Sequence, residues 1–222
     1  MTPMPIDQQL LDSCAALLLL LSFAMLAQRR VVSLVNLLAV QGALLVAATL
    51  LLAWRTGQQH LYVSAGLTFG LKVVFLPWLL HRLIRRLQVY WDTEPLLNIS
   101  GTMLMGLGVV VFAFGLAQPI TQLASTSTRS AIGIAVSVIL LAFLMMITRR
   151  KAMSQVVGFL SLENGLFFGA MSATYGMPMV VELGVALDVL VAMLVLGVFF
   201  FQIREQFDSL DLHHLESLKE QQ

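Results

Sequence analysis

At 222 residues, 59% hydrophobic and 11% charged, the chain is far from a soluble domain, which averages about 45–50% apolar and about 25% charged residues. Its formal net charge of +1, with no basic run interleaved with aromatics, argues against a nucleic-acid partner. Its single cysteine, Cys14, excludes an internal disulfide and a cysteine-built metal or iron–sulfur site.

The N-terminal MTPMPIDQQLLDSC carries acids where a secretory signal begins with bases, so the first apolar run is expected to stay as a membrane anchor. Windows of about 20 apolar residues predict seven spans: Leu10–Gln28, Val31–Trp54, Leu61–Leu83, Leu97–Leu116, Ser130–Ile147, Met153–Ala173 and Met179–Ile203. Turn and cap chemistry separates them at Arg55–Gln59 with Gly57, at Asp92–Pro95, over the Ser- and Thr-rich Pro119–Arg129, and at Tyr175–Pro178 with Gly176. No linker is long enough for a soluble domain. The expected fold is an all-α integral membrane protein of about seven transmembrane helices.

Charge predicts the orientation. With the N-terminus outside, the inner face receives Arg29, Arg30, Arg82, Arg85, Arg86, Arg149, Arg150, Lys151, Arg204 and Lys219, and the outer face only Arg55 and Arg129. Basic residues concentrate on cytoplasmic loops, so the C-terminus is expected in the cytoplasm.

The halves share a layout. AQRRVVSLVNLLAVQGALL and TRRKAMSQVVGFLSLENGLF each place an Arg pair before a helix, and Gln41 falls where Glu163 falls. The third helix of each half carries an ionisable group in mid-span, Lys72 in one and Asp188 in the other. One helix separates the halves, so the copies would have the same orientation, a parallel repeat. The expected organisation is an N-terminal three-helix unit (1–90), a linking helix with its loops (91–125), a C-terminal three-helix unit (126–204) and an amphipathic tail (205–222). Phe207, Leu210, Leu215 and Leu218 give that tail its apolar side, and its acids favour docking on a partner over anionic lipid.

Charge at membrane depth costs about 2.5–3.5 kcal/mol per group on insertion scales, so the buried ionisable residues need a reason. Glu163 has Asn164 beside it and shares its helix with Gly158, Gly165 and Gly169; the Gly165–Gly169 spacing allows close helix packing. Glu163 either passes protons through water or locks two helices together as a fixed partner. Asp188, with Gly184 and Ala192 one turn to either side, faces a groove of small residues that suits a helix or a file of waters. Glu182 sits near a helix start, where the dipole favours an acid; it is either simply solvated or the outer end of a relay. Lys72 lies deep in SAGLTFGLKVVFLPWLL, after the Gly66–Gly70 pair and before Pro77, which leaves the Val73 carbonyl without its usual donor. It is too deep to snorkel comfortably, and a buried lysine can exchange protons. Gln41 and Asn36 suit helix–helix hydrogen bonds. Asp12, at the edge of the first span, reads as solvated, and the methionines of the fourth and fifth spans read as packing.

The second half, with its Arg pair, GFLSLENGLFFGA and VELGVALDVLVAMLVLGVFFFQI ending in RE, resembles the K subunit of respiratory complex I and the C subunit of Mrp-type antiporters. Glu163 matches the first acid of that pattern, and Asp188 matches the second as a shorter acid across a shorter connection. The whole chain, with SAGLTFGLKVVFLP in its first half, resembles hydrogenase-4 component E, most specifically over Gln155–Asp211 and Ser64–Pro77.

The resemblance implies a non-redox membrane subunit, without a catalytic site of its own, of a group 4 nickel–iron (NiFe) hydrogenase or formate hydrogenlyase-type complex. The NiFe centre and iron–sulfur clusters would sit in partner subunits, and antiporter-like subunits would flank this one. Glu163, Asp188, Lys72, Gln41 and Glu182 would form its proton or sodium path. The alternatives are a subunit of a stand-alone Mrp-like cation/proton antiporter and a structural scaffold.

Overall fold

The computed structural model describes residues 6–87, 98–121 and 126–174, and from the seventh apolar segment Gly184, Ala186, Leu187, Val189, Leu190, Met193 and Gly197. These residues are helical apart from the short connections. Helix α1 spans Ile6–Ala27, α2 Val31–Thr56 and α3 Gln59–Thr68. A π-helical segment, Phe69–Phe75, continues α3 directly into α4, Leu76–Leu87, and α5 (Ile99–Thr121), α6 (Thr126–Thr148) and α7 (Ala152–Thr174) follow. Joined through the π segment, α3 and α4 make one span, so six helices among the described residues are long and apolar enough to cross a membrane. The seventh expected span, Met179–Ile203, lies almost wholly outside the described residues. The chain divides into two compact units, Met1–Asp188 and Val189–Gln222; in the second, the described residues Val189, Leu190, Met193 and Gly197 are helical.

Four helices form a ring. α1 packs on α2, α2 on α7, α7 on α6, and α6 back on α1. Ala15 and Leu18 of α1, Leu45, Ala48 and Leu52 of α2, Ile134 and Val138 of α6, and Phe167, Phe168 and Met171 of α7 fill its apolar core. α5 lies outside against α1 and α6, while the α3–π–α4 span lies against α2. The outer faces carry exposed Leu20, Trp54, Val63, Leu104, Val111 and Ile147. Such an apolar surface is a liability in water and the natural boundary toward lipid. The protein is an all-α membrane protein.

The glycines of α7 set how closely the ring closes. A Cβ at Gly158 would come 2.8 Å from Met146, one at Gly165 would lie 3.0 Å from both Ile139 and Val138, and one at Gly169 would lie 2.9 Å from the Ala135 Cβ. These three positions bring the α7 backbone onto α6, as the Gly165–Gly169 spacing predicts. The face of α7 that carries Glu163 and Asn164 is thereby turned toward α2 and the π segment.

Cross-half hydrogen bonds give the relative direction. The Asp12 carboxylate accepts from the Ser130 hydroxyl near one end of α1 and α6, while Arg149, just beyond α6, donates to Leu26 O and Gln28 O where α1 ends. Asn164 donates to Gln41, and the Thr49 hydroxyl donates to the Met171 sulfur. α1 therefore runs parallel to α6 and α2 parallel to α7, and these bonded residues are separated by 118 to 123 positions.

Local chemistry explains the helix ends. Gly57 adopts φ 66° and returns its N–H to Ala53 O, closing α2 with the left-handed turn that only glycine makes without strain. Arg149, 4% exposed, serves the last carbonyls of α1, which have no partners of their own within the helix. The polar Thr126–Arg129, read from sequence as linker, forms the first turn of α6.

Candidate functional site

The third span brings a cation to the centre of the bundle by an irregularity in its backbone. Leu76 donates to Leu71 O, five residues back, and Pro77 has no N–H to give Lys72 in the same register, so the π segment stops there. The proline signal thus marks a break in helix geometry, as read, but the disturbance covers Phe69–Phe75 rather than the Val73 carbonyl alone. Opposite it stands Gly42 of α2: a Cβ there would lie 3.0 Å from the Lys72 Cβ and 3.3 Å from the Lys72 carbonyl oxygen. The glycine lets the two backbones approach, and Lys72 leaves the span inward, 3% exposed, with no route to snorkel.

The Lys72 ammonium donates to Glu163 Oε1 at 3.0 Å and to Asn164 Oδ1 at 2.9 Å, and lies 5.4 Å from the centre of the Phe167 ring. From Asn164 the bonds continue in one sense. Asn164 Nδ2 donates to Gln41 Oε1 at 3.4 Å, Gln41 Nε2 to Ser22 Oγ at 3.0 Å, and Ser22 Oγ to Leu18 O at 2.9 Å. An ammonium only donates, so Asn164 must turn its oxygen to Lys72 and its amide nitrogen to Gln41, which fixes the sense of each later bond. Lys72, Glu163, Asn164, Gln41 and Ser22, from four different spans, are all buried.

A cavity of ≈ 10 Å³ lies against Lys72, Glu163 and Asn164 and is lined also by Leu38, Leu76 and Leu160. That volume admits about one water. Each leucine lies about one helical turn from the polar cluster, toward the end where its helix meets the Arg-rich hairpins. The buried Thr68 hydroxyl, one turn before Lys72, has no hydrogen-bond partner among the described residues.

Of the residues singled out from sequence, the structure joins Lys72, Glu163 and Gln41 in one cluster, while Asp188 and Glu182 lie outside the described residues. Gly184, expected to line a groove of small residues on the Asp188 helix, packs on Phe167 so closely that a Cβ there would lie 2.5 Å from the ring. Gln41 makes the interhelical bonds expected of it, whereas Asn36 is exposed. Asp12 is half-buried and takes the Ser130 hydroxyl rather than being wholly solvated. Sequence reasoning passed over Ser22 and Gly42 and treated Asn164 only as the neighbour of Glu163. Ser22 had one readable signal, a lone hydroxyl after the run Leu17–Leu21.

The chain is 36% identical over 212 residues to uncharacterized protein Rv0085 of Mycobacterium tuberculosis, covering 95% of this chain and 96% of that protein. It belongs to that protein's family. A more distant similarity joins this family member to hydrogenase-4 component E of Escherichia coli K12 and of Shigella flexneri. Each is 23% identical over 181 residues, covering 82% of this chain and 84% of the relative. No family model matches the chain, and no solved structure matches it significantly. The distant relation supports, at the level of family, the resemblance to hydrogenase-4 component E.

Proposed function

We propose that this protein is a non-redox membrane subunit of a hydrogenase-type complex, in which the Lys72–Glu163 pair takes up and releases ions as partner subunits transfer electrons. The carrying observation is a lysine–carboxylate pair at 3.0 Å, each side chain 3% exposed, in the middle of a membrane bundle. Ionisable groups at that depth are expensive and usually mark an ion path. The similarity to hydrogenase-4 component E supplies the kind of complex. Asp188 and Glu182 extend the path in this reading. Gln41, Asn164 and Ser22 orient it, since amides hydrogen-bond but do not readily change protonation. The NiFe centre and iron–sulfur clusters belong to partner subunits in this reading. Antiporter-like membrane subunits are the expected neighbours.

The parallel duplication belongs to this reading. It is supported by α1 lying along α6, α2 lying along α7, and bonded pairs separated by nearly the offset that relates Gln41 to Glu163. The basic residues favour N-terminus out and C-terminus in, which accessibility labelling at either end tests.

A second reading has its own observation. The pair is bonded within the cluster and ties the π segment to α7, as a scaffold would require. Proton pumping by the reconstituted complex separates the two. Measured per assembled complex, Glu163→Gln and Asp188→Asn should lose most pumping, and normal assembly with unaltered pumping would sink the ion-path reading. A complex that pumps cations with no redox partner would instead favour the stand-alone antiporter.

A further inference from the structure

An ammonium and a desolvated alkali cation compete for one kind of site: both carry a single positive charge, and both are satisfied by carboxylate and amide oxygens. In this bundle the place is taken. The Lys72 ammonium holds Glu163 Oε1 at 3.0 Å and Asn164 Oδ1 at 2.9 Å, over the face of Phe167 at 5.4 Å. It stands beside irregular backbone at membrane depth, where transporters place their cation sites. The adjoining cavity of ≈ 10 Å³ has room for about one water and none for a second cation with its oxygen shell. Among the described residues lining it, the ionisable ones are Lys72 and Glu163, which carry opposite charges.

We propose that Lys72 determines the ion specificity of this site: its ammonium is a tethered cation that keeps sodium out and leaves the proton as the exchangeable ion. This rests on the ion-path reading of the pair. A proton needs no coordination shell of its own. Delivered as hydronium to the cavity, it passes to the Glu163 carboxylate and leaves a water behind, so the pair changes from Lys72 ammonium with carboxylate to Lys72 ammonium with carboxylic acid. Release reverses the step. Sodium can enter only by displacing an ammonium covalently held to the π segment. Removing that ammonium exposes Glu163 Oε1 and Asn164 Oδ1 to a free cation, so the variant acquires a monovalent-cation site the native chain lacks.

The test is thermal unfolding of the purified full-length chain in detergent, with NaCl exchanged for choline chloride at constant ionic strength. The native midpoint should be the same in both salts. Lys72→Met and Lys72→Gln should melt lower in choline and regain stability with the logarithm of sodium concentration, as ligand binding to the folded state requires. Lys72→Met combined with Glu163→Gln, which removes both charges of the pair, should show no sodium response. A sodium-dependent rise in the native protein, a flat response in both single variants, or their failure to fold even in saturating sodium would each overturn the proposal. A sodium response in the double variant would do so too. Unaltered pumping by Glu163→Gln would remove the ion-path reading while leaving these midpoints as they are, so the two failures are told apart.

Discussion

Lys72 and Glu163 are tolerated because each removes the other's desolvation penalty, with Asn164 and the Phe167 ring taking up part of the remainder. Removing one partner of such a pair typically costs about 3–5 kcal/mol, whereas replacing both with apolar residues of similar size is often neutral. Lys72→Met alone should therefore destabilise the chain severely, and Lys72→Met with Glu163→Leu should recover most of the loss in denaturation measured in detergent. If the double variant were as unstable as the single one, packing of the lysine stem rather than the charge would be responsible. Each polar residue here was legible as an anomaly in an apolar window. Their pairing was not, because Lys72 and Glu163 stand 91 positions apart and any of several buried groups was a candidate partner.

At the scale of elements, small residues decide which faces meet, but not every glycine takes part. A Cβ at Gly165 meets Val138 and Ile139 at 3.0 Å, while one at Gly108 meets nothing within 4 Å. Forcing bulk into a packed interface costs about 1–3 kcal/mol. Gly165→Leu should lose that much and separate α6 from α7, while Gly108→Leu should leave the unfolding midpoint of the isolated chain nearly unchanged. Equal losses would mean that glycine content, rather than contact, sets stability. The sequence pointed to close packing at Gly165–Gly169; the same spacing occurs at Gly66–Gly70, where added Cβ atoms would meet nothing within 4 Å among the described residues. A small-residue spacing says where an approach is permitted. It does not say whether a neighbour comes.

For the whole molecule, Arg149 was legible only as one of the bases expected to set orientation, yet it has a packing role. It is buried at the junction of the halves, giving its guanidinium to Leu26 O and Gln28 O while its own carbonyl accepts from Gln155. Hydrogen bonds from charged groups contribute about 1.5–3 kcal/mol, so Arg149→Met should lower stability by that order. Arg149→Lys should restore little, because both bonds come from Nη2 at the end of a side chain longer than lysine's. Full rescue by lysine would show that charge alone is needed there. In the sequence Arg149 was indistinguishable from Arg150, which is exposed. Both belong to one basic cluster, and only the docking of α1 beside the hairpin separates them.

Sequence alone determined that this chain is a helical membrane protein, where its described spans lie, and that Lys72, Glu163 and Gln41 are out of place in them. These properties are local. A bilayer demands about 20 apolar residues per helix, and any polar group inside such a window stands out whatever surrounds it. Tertiary structure decided the rest. The ring order of α1, α2, α7 and α6, the π turn before Pro77 and the close approach of Gly42 depend on how helices far apart in sequence rotate against one another. Only that arrangement turns a base and an acid on separate spans into one buried pair.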